Sequence, residues 1–269
     1  MDLSEKSAFL KIASSVAKAA GERLSAIAER RVNSNAGNDV KLQEDVESEM
    51  FIRGKLETTG IPVIGEENGG DTSLAFNDSY YWIVDPIDGT YNFLRGIPGV
   101  CVSVALMKGR TPVVGAINDF TRGELYAEGR YNWELVFCEL YAGGKGLPLT
   151  LNGAEIKPAW AREQSQAVLM TGFPSATDYS DENLKHFVTA VQKFKKVRMC
   201  GSAALAMAWV AAGRADAYKE NRLYLWDVAA GLSLMESAGG AYEFEFLGVE
   251  GKPLCISIQA AARKEFFTE

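Results

Sequence analysis

Residues Tyr81–Phe93 read YWIVDPIDGTYNF, the stretch that most restricts what this chain can fold into. Tyr81, Trp82, Ile83 and Val84 make a continuous apolar run, the pattern of a strand buried on both faces. It gives way at once to Asp85-Pro86-Ile87-Asp88-Gly89-Thr90, which predicts a strand ending at Val84 and a turn beginning there. Pro86 has no N–H for a ladder, and Gly89 permits a tight turn or the close approach of a ligand. Two carboxylates three residues apart at the end of a core strand suit a hard cation. The amides after Asp88 could face an anion. Together they suggest metal-assisted phosphate chemistry.

The rest of the chain is compatible with that chemistry. Its 269 residues allow a sizeable core, as one large domain or two small ones. A net charge of -7, from 35 acidic and 28 basic residues, argues against a nucleic-acid-binding surface. It leaves an anionic small substrate open, because bound metal ions can invert the local field. Cys101, Cys138, Cys200 and Cys255 are far apart and form no CxxC, so they read as inert thiols in a reducing compartment. The first residues, with Asp2, Glu5 and Lys6, lack a basic region followed by an apolar core. No apolar run approaches the ~18 residues of a membrane span. The expectation is a cytoplasmic protein without membrane association.

Helical spacing of Leu3, Phe9, Leu10, Ile12, Ala13, Val16, Ala17, Ala20, Leu24 and Ile27 predicts a long first helix. Polar Asn33–Asn38 should break it, and a second helix should run from Glu44 to Thr59. Strands are expected at Ile61–Ile64, Tyr80–Val84, Val100–Met107, Pro112–Asn118, Glu124–Ala127 and Glu134–Leu140. After the Gly143–Gly146 turn the pattern alternates. Strands at Ala167–Met170, Val197–Met199 and Ala215–Tyr218 are interleaved with helices at Asp181–Phe194, after Gly201-Ser202, and at Asp227–Ser237. The chain thus divides into an α+β half (1–145) and an α/β half (146–269), expected to form one compact unit. Lone His186 falls in a surface helix and reads as structural.

Three further segments bear on the acidic turn. Ile64-Gly65-Glu66-Glu67 puts two acids after an apolar strand, which alone reads as a solvated loop. Leu225–Gly231 (LWDVAAG) puts Asp227 in the first turn of a helix, which alone reads as a cap. Gly201-Ser202-Ala203 alone reads as a helix start.

Taken together, GEE (Gly65–Glu67), DPIDGTYNF (Asp85–Phe93) and WDVAAG (Trp226–Gly231), in this order and spacing, resemble the inositol monophosphatase family. The likeness runs from the first helix to about Ala241. It implies a layered α-β-α-β-α sandwich, a homodimer, and lithium-sensitive phosphatase activity with two or three Mg²⁺ ions per site. By the same resemblance Glu66, Asp85, the Ile87 carbonyl, Asp88 and Asp227 are the metal ligands. Gly89 and Thr90 offer amides to the phosphate, Thr90 orients the attacking water with Glu66, and Asp45 supports Thr90. Glu220, seven residues before Asp227, matches a glutamate that accepts hydrogen bonds from inositol hydroxyls. Gly201, Ser202 and Ala203 match a small turn on the polyol side.

The implied reaction is hydrolysis of inositol monophosphate or a related polyol or sugar phosphate. Fructose-1,6-bisphosphate, 3′(2′),5′-bisphosphate nucleotides and histidinol phosphate are the alternative substrates, and a non-catalytic binding relative is the alternative class. Two departures from the family pattern are visible. Leu42 stands where threonine is usual, with Lys41 beside it, and Asn33–Asn38 carries no basic residue. They bear on the third metal, lithium sensitivity and substrate, and leave the main ligand set untouched.

Overall fold

A computed structural model describes residues 1–36, 39–121, 126–127, 130–131, 138–173 and 179–267. Helix α1 (Leu3–Ser25) starts at Asp2, whose carboxylate accepts the N–H of Glu5 while the Glu5 carboxylate accepts that of Asp2. This reciprocal cap fixes the helix start. Strands β1 (Val32–Ala36) and β2 (Asp39–Leu42) follow, then helix α2 (Gln43–Leu56). The polar Asn33–Asn38 stretch therefore does more than break a helix. Most of it is hairpin backbone, anchored at its base where Arg31 accepts the N–H of Gln43 and pairs with Glu44 and Glu47.

The first sheet contains β3 (Val63–Gly65), β4 (Tyr80–Asp88), β5 (Cys101–Lys108), β6 (Thr111–Asp119), β9 (Glu139–Gly144), β10 (Leu147–Leu151) and β11 (Ala154–Glu155). Their order is β11-β10-β9-β6-β5-β4-β3, with only β3 and β4 parallel. Between β6 and β9, β7 (Tyr126–Ala127) pairs with β8 (Arg130–Tyr131). Of the strands expected at Glu124–Ala127 and Glu134–Leu140, residues 124–125 and 134–137 lie outside the described residues, while Tyr126-Ala127 form β7 and Glu139-Leu140 begin β9. The Gly143–Gly146 turn is a hairpin, and the sheet continues past it to Glu155.

The second sheet contains β12 (Val168–Thr171), β13 (Lys196–Arg198), β14 (Ala217–Tyr224), β15 (Ala241–Phe246) and β16 (Cys255–Ala261), in the order β13-β12-β14-β16-β15. Helices α5 (Ala203–Ala211) and α6 (Leu225–Ala238) are packed between the sheets. Helices α1 and α2 cover the outer face of the first sheet, and α4 (Asp181–Val191) borders the second through Val191. The short α3 (Thr90–Arg95) follows β4. The architecture is α-β-α-β-α.

This layering explains the apolar run at Tyr81. Trp82 and Val84 pack into the core under α1 and α2, whereas Tyr81 and Ile83 pack into the core around α5 and α6. A strand between two helical layers has no polar face. β4 also runs beyond its expected end at Val84. Asp85 pairs with Ser103 and Asp88 with Cys101, so one extra residue is accommodated as a bulge. The bulge falls at Pro86, where a ladder N–H is missing, and it turns the two aspartates out of strict alternation.

Candidate metal centre

Carboxylate oxygens of Glu66, Asp85 and Asp227 lie within 4.8 Å of one another. Glu66 follows β3, Asp85 is at the β4 bulge and Asp227 is in the first turn of α6. The cleft around them, of about 250 Å³, is also lined by Ile87, Asp88, Gly89, Thr90, Ser202 and Glu220. Two larger cavities have volumes of about 980 and 530 Å³; the second adjoins the cleft, sharing Thr171, Gly172, Phe173 and Glu220 with it, and among the described residues neither gathers three acids. Among the described residues, the trio of acids lies in the smallest of the three.

Burial pushes all three carboxyls well above the ordinary carboxylate range, and repulsion reinforces it. Asp227 acts on Glu66, Glu66 on Asp85, and Asp88 on Asp227. Lys41, whose charge opposes this effect on Glu66, is itself bound to the Glu67 carboxylate at 2.9 Å. A cluster of hard oxygen donors held together against its own repulsion has the chemistry of a Mg²⁺ site. The donor set fits the ion.

Helix starts aim two of the acids. Asp45 and Asp227 each sit three residues after the residue preceding their helix, and each accepts that residue's N–H at 2.8 Å. One oxygen of each is thereby fixed, and Asp227 lines the cleft. The second oxygen of Asp45 lies 3.5 Å from Thr90 Oγ1, which donates to the Ile87 carbonyl at 3.0 Å. Burial raises Asp45 to about 7, against the opposing hydrogen bond from Leu42.

Asp88 is oriented differently. Its carboxylate faces the N-terminus of α5 and accepts from Ser202 Oγ at 2.7 Å and from the amides of Ala204 and Ala203 at 2.6 and 3.3 Å. It lines the cleft but stands outside the closest trio. Burial raises it to about 6, with those bonds opposing the shift. Gly201, Ser202 and Ala203 line the cleft, and Ser202 and Ala203 also hold Asp88. Cys101 and Cys200 also touch Ser202, and burial pushes both thiols up, Cys200 to about 12, so neither is a ready nucleophile.

Glu220, on β14, lines both the cleft and the 530 Å³ cavity. Tyr218 Oη donates to it at 2.9 Å, and burial raises it to about 7. Its carboxylate lies over Gly172, where a Cβ would come within 2.7 Å of it. Gly172 escapes sequence reading because only the parallel pairing of β12 with β14 brings it beside Glu220, whereas Tyr218, two residues before Glu220 on β14, shares its face by strand alternation. Glu49 of α2 was missed as well. It is fully buried and accepts the amides of Glu67 and Asn68, a role its position in a helix does not announce. His186 lies in α4, lines the 530 Å³ cavity and takes no part in the acidic cluster.

A two-sheet sandwich with its acids gathered at strand ends and helix starts defines a class of acidic metal-site proteins built on an α-β-α-β-α frame. The inositol monophosphatase family model matches residues 5–258, and the chain belongs to that family. It is 37% identical to Nus factor SuhB of Xylella fastidiosa over 189 residues, 70% of this chain and 62% of that protein. It is 34% identical to inositol-1-monophosphatase SuhB of Mycobacterium tuberculosis over 201 residues, 72% of this chain and 65% of that protein. The match therefore spans less than two thirds of either relative's length. The structure of inositol monophosphatase from Anabaena superposes with a TM-score of 0.73 at 30% identity, covering 97% of this chain and 92% of that one.

Proposed function

We propose that this chain is a Mg²⁺-dependent phosphomonoesterase acting on inositol monophosphate or a related polyol or sugar phosphate. The observation that carries the reading is the convergence of Glu66, Asp85 and Asp227 beside Thr90 in one cleft. Glu66, Asp85, the Ile87 carbonyl, Asp88 and Asp227 would hold Mg²⁺. When bound, the ion lowers the pKa of a coordinated water and neutralises charge on the phosphoryl and leaving oxygens.

The protein's own groups supply position and proton transfer. The amides of Gly89 and Thr90, following the bulge, bind the phosphate oxygens. Thr90 Oγ1 directs its proton to the Ile87 carbonyl or to Asp45, leaving a lone pair to orient a water. With a pKa of about 7, Asp45 can accept a proton near neutrality. Glu66 holds the water side of the cleft. Glu220 accepts hydrogen bonds from the hydroxyls of the departing alcohol, and Gly201, Ser202 and Ala203 line the same cleft, Ser202 and Ala203 holding Asp88. A homodimer and lithium sensitivity belong to the same proposal.

Phosphate release tests the reading. The panel is inositol monophosphates, fructose-1,6-bisphosphate, a 3′,5′-bisphosphate nucleotide, histidinol phosphate and an aryl phosphate, each with Mg²⁺ and with chelator. Mg²⁺-dependent release with a preference for inositol monophosphates is expected. Release favouring another member reassigns the substrate, and no release at any metal level leaves a binding or regulatory role in place of the enzyme.

A further inference from the structure

Helix α2 contributes more to the cleft than Asp45. Asp45, Glu49 and Arg53 follow one another at four-residue intervals along one helix face. The first reaches Thr90. The other two hold the turn that carries Glu66. Glu49 accepts the amides of Glu67 at 2.7 Å and Asn68 at 3.0 Å, and receives Arg53 Nε at 2.7 Å. Arg53 also donates to the carbonyls of Val63 and Gly69, on the two sides of the turn. Gly69 closes the turn by accepting the N–H of Gly65 at 2.9 Å.

The contact on Gly65 is tight. A Cβ there would lie 2.3 to 2.5 Å from the three carboxyl atoms of Glu49. The carboxylate rests directly on the backbone preceding Glu66, and that contact needs a glycine. The Glu49 side chain is fully buried, so water cannot take over its bonds.

We infer that Glu49, supported by Arg53, is a positioning residue for the metal centre: it sets where Glu66 stands relative to Asp85 and Asp227. The same helix fixes Thr90 through Asp45, so α2 keeps the water-orienting hydroxyl and the Glu66 ligand in register. Burial of a helix alone would not require a carboxylate in this place, since an apolar side chain would pack on Gly65 without binding two successive amides. The inference rests on the acidic cluster binding metal and not on the reaction that follows.

The test uses the whole chain with Mg²⁺ as the probe, reading the Mg²⁺-induced rise in Tm together with Mg²⁺-dependent turnover of an aryl phosphate. Glu49→Gln keeps the volume but presents a donor where an acceptor is needed. Its Mg²⁺ midpoint should rise about 10-fold, as for other groups that orient metal ligands, while KM at saturating Mg²⁺ stays within about twofold. Arg53→Met should move the midpoint in the same direction, about 3-fold, at the low end of such effects. Gly65→Ala should raise it in the native background and add little in a Glu49→Ala background, because the clash is then gone.

An unchanged midpoint in folded Glu49→Gln, even with a lowered Tm, overturns the inference and leaves Glu49 a packing residue. If Glu49→Gln does not fold, an unchanged midpoint in Arg53→Met does the same. A native chain whose Tm ignores Mg²⁺ also overturns it. A native chain that shows the Mg²⁺ response and the variant shifts but hydrolyses nothing supports this inference and refutes the phosphatase reading.

Discussion

The Ser202 hydroxyl donates to Asp88 Oδ2 at 2.7 Å, joining residues 114 positions apart. The same hydroxyl accepts the N–H of Leu205 at 3.2 Å and so caps α5. One side chain thus begins a helix in the second half of the chain and fixes an aspartate presented by the first. The carboxylate in turn sits at the positive end of α5, where two amides meet it.

Ser202→Ala removes the cap and the Asp88 partner together. Urea denaturation should show a loss of about 1–2 kcal/mol. The bond from Ser202 also holds the Asp88 pKa down, so the acid limb of the activity profile should move to higher pH. A limb that stays in place would detach Asp88 from the activity.

Asp227→Asn should separate metal binding from folding. In chelator it relieves repulsion among buried carboxylates, and Tm should rise above the native value. With Mg²⁺ present the native chain should gain stability and the variant little. A variant that gains as much as the native chain would remove Asp227 from the metal centre.

Thr90→Ala and Asp45→Asn act on the water-orienting pair. Each should lower kcat by about 100-fold, the low end for a positioned proton-transfer group. Steady-state kinetics with a Mg²⁺ titration should show the metal midpoint within about threefold of native, far less than the 10-fold or greater change typical of lost ligand support. A change in the midpoint with kcat preserved would make the pair a metal support.

Glu220→Gln addresses the alcohol. Turnover of inositol monophosphate should fall about 10-fold or more relative to an aryl phosphate, since only the polyol offers hydroxyls to the carboxylate. Equal losses on the two substrates would place Glu220 outside alcohol recognition.

The raised carboxyls also fix the sign of the pH dependence. Asp45 and Glu220 at about 7, and Asp88 at about 6, titrate near 4 once unfolded. Between those values the folded state holds more protons than the unfolded state. Metal-free stability is therefore complete in this respect below about pH 4 and declines as pH rises through about 7. Mg²⁺ binds the ionised forms, so its effect on Tm should be larger at pH 8 than at pH 5, as thermal denaturation at the two pH values would reveal. Equal shifts would mean that the carboxyls do not titrate in this window.

Legibility in the sequence varied with the range of the interaction. The apolar run at Tyr81–Val84 and the small-residue helix at Ala203–Ala211 were evident, because burial on two sides leaves a purely apolar signature. β15 and β16 went unseen, although β16 joins β14 to β15 at the far side of the second sheet. Glu243 and Glu245 alternate with Tyr242, Phe244 and Phe246, and Ser257 and Gln259 with Ile256, Ile258 and Ala260, a period-two signal of half-buried strands that a search for continuous apolar runs passes over. The β1–β2 hairpin was hidden for a similar reason: Asn33, Ser34 and Asn35 are polar, and its anchor is the side-chain chemistry of Arg31.

By itself, the sequence determined which residue types were available for a metal and phosphate site and where local structure would present them. The DPIDGT turn, the GEE segment and the WD helix start each carry that information in adjacent residues, through backbone limits and capping. Only the tertiary structure decided how they meet. It brought Glu66, Asp85 and Asp227 within 4.8 Å, turned Asp88 onto the start of α5, and put the Glu49 carboxylate against Gly65. Those distances depend on sheet register and helix packing between segments far apart in the chain, and a one-residue shift in either would face the same carboxylates elsewhere.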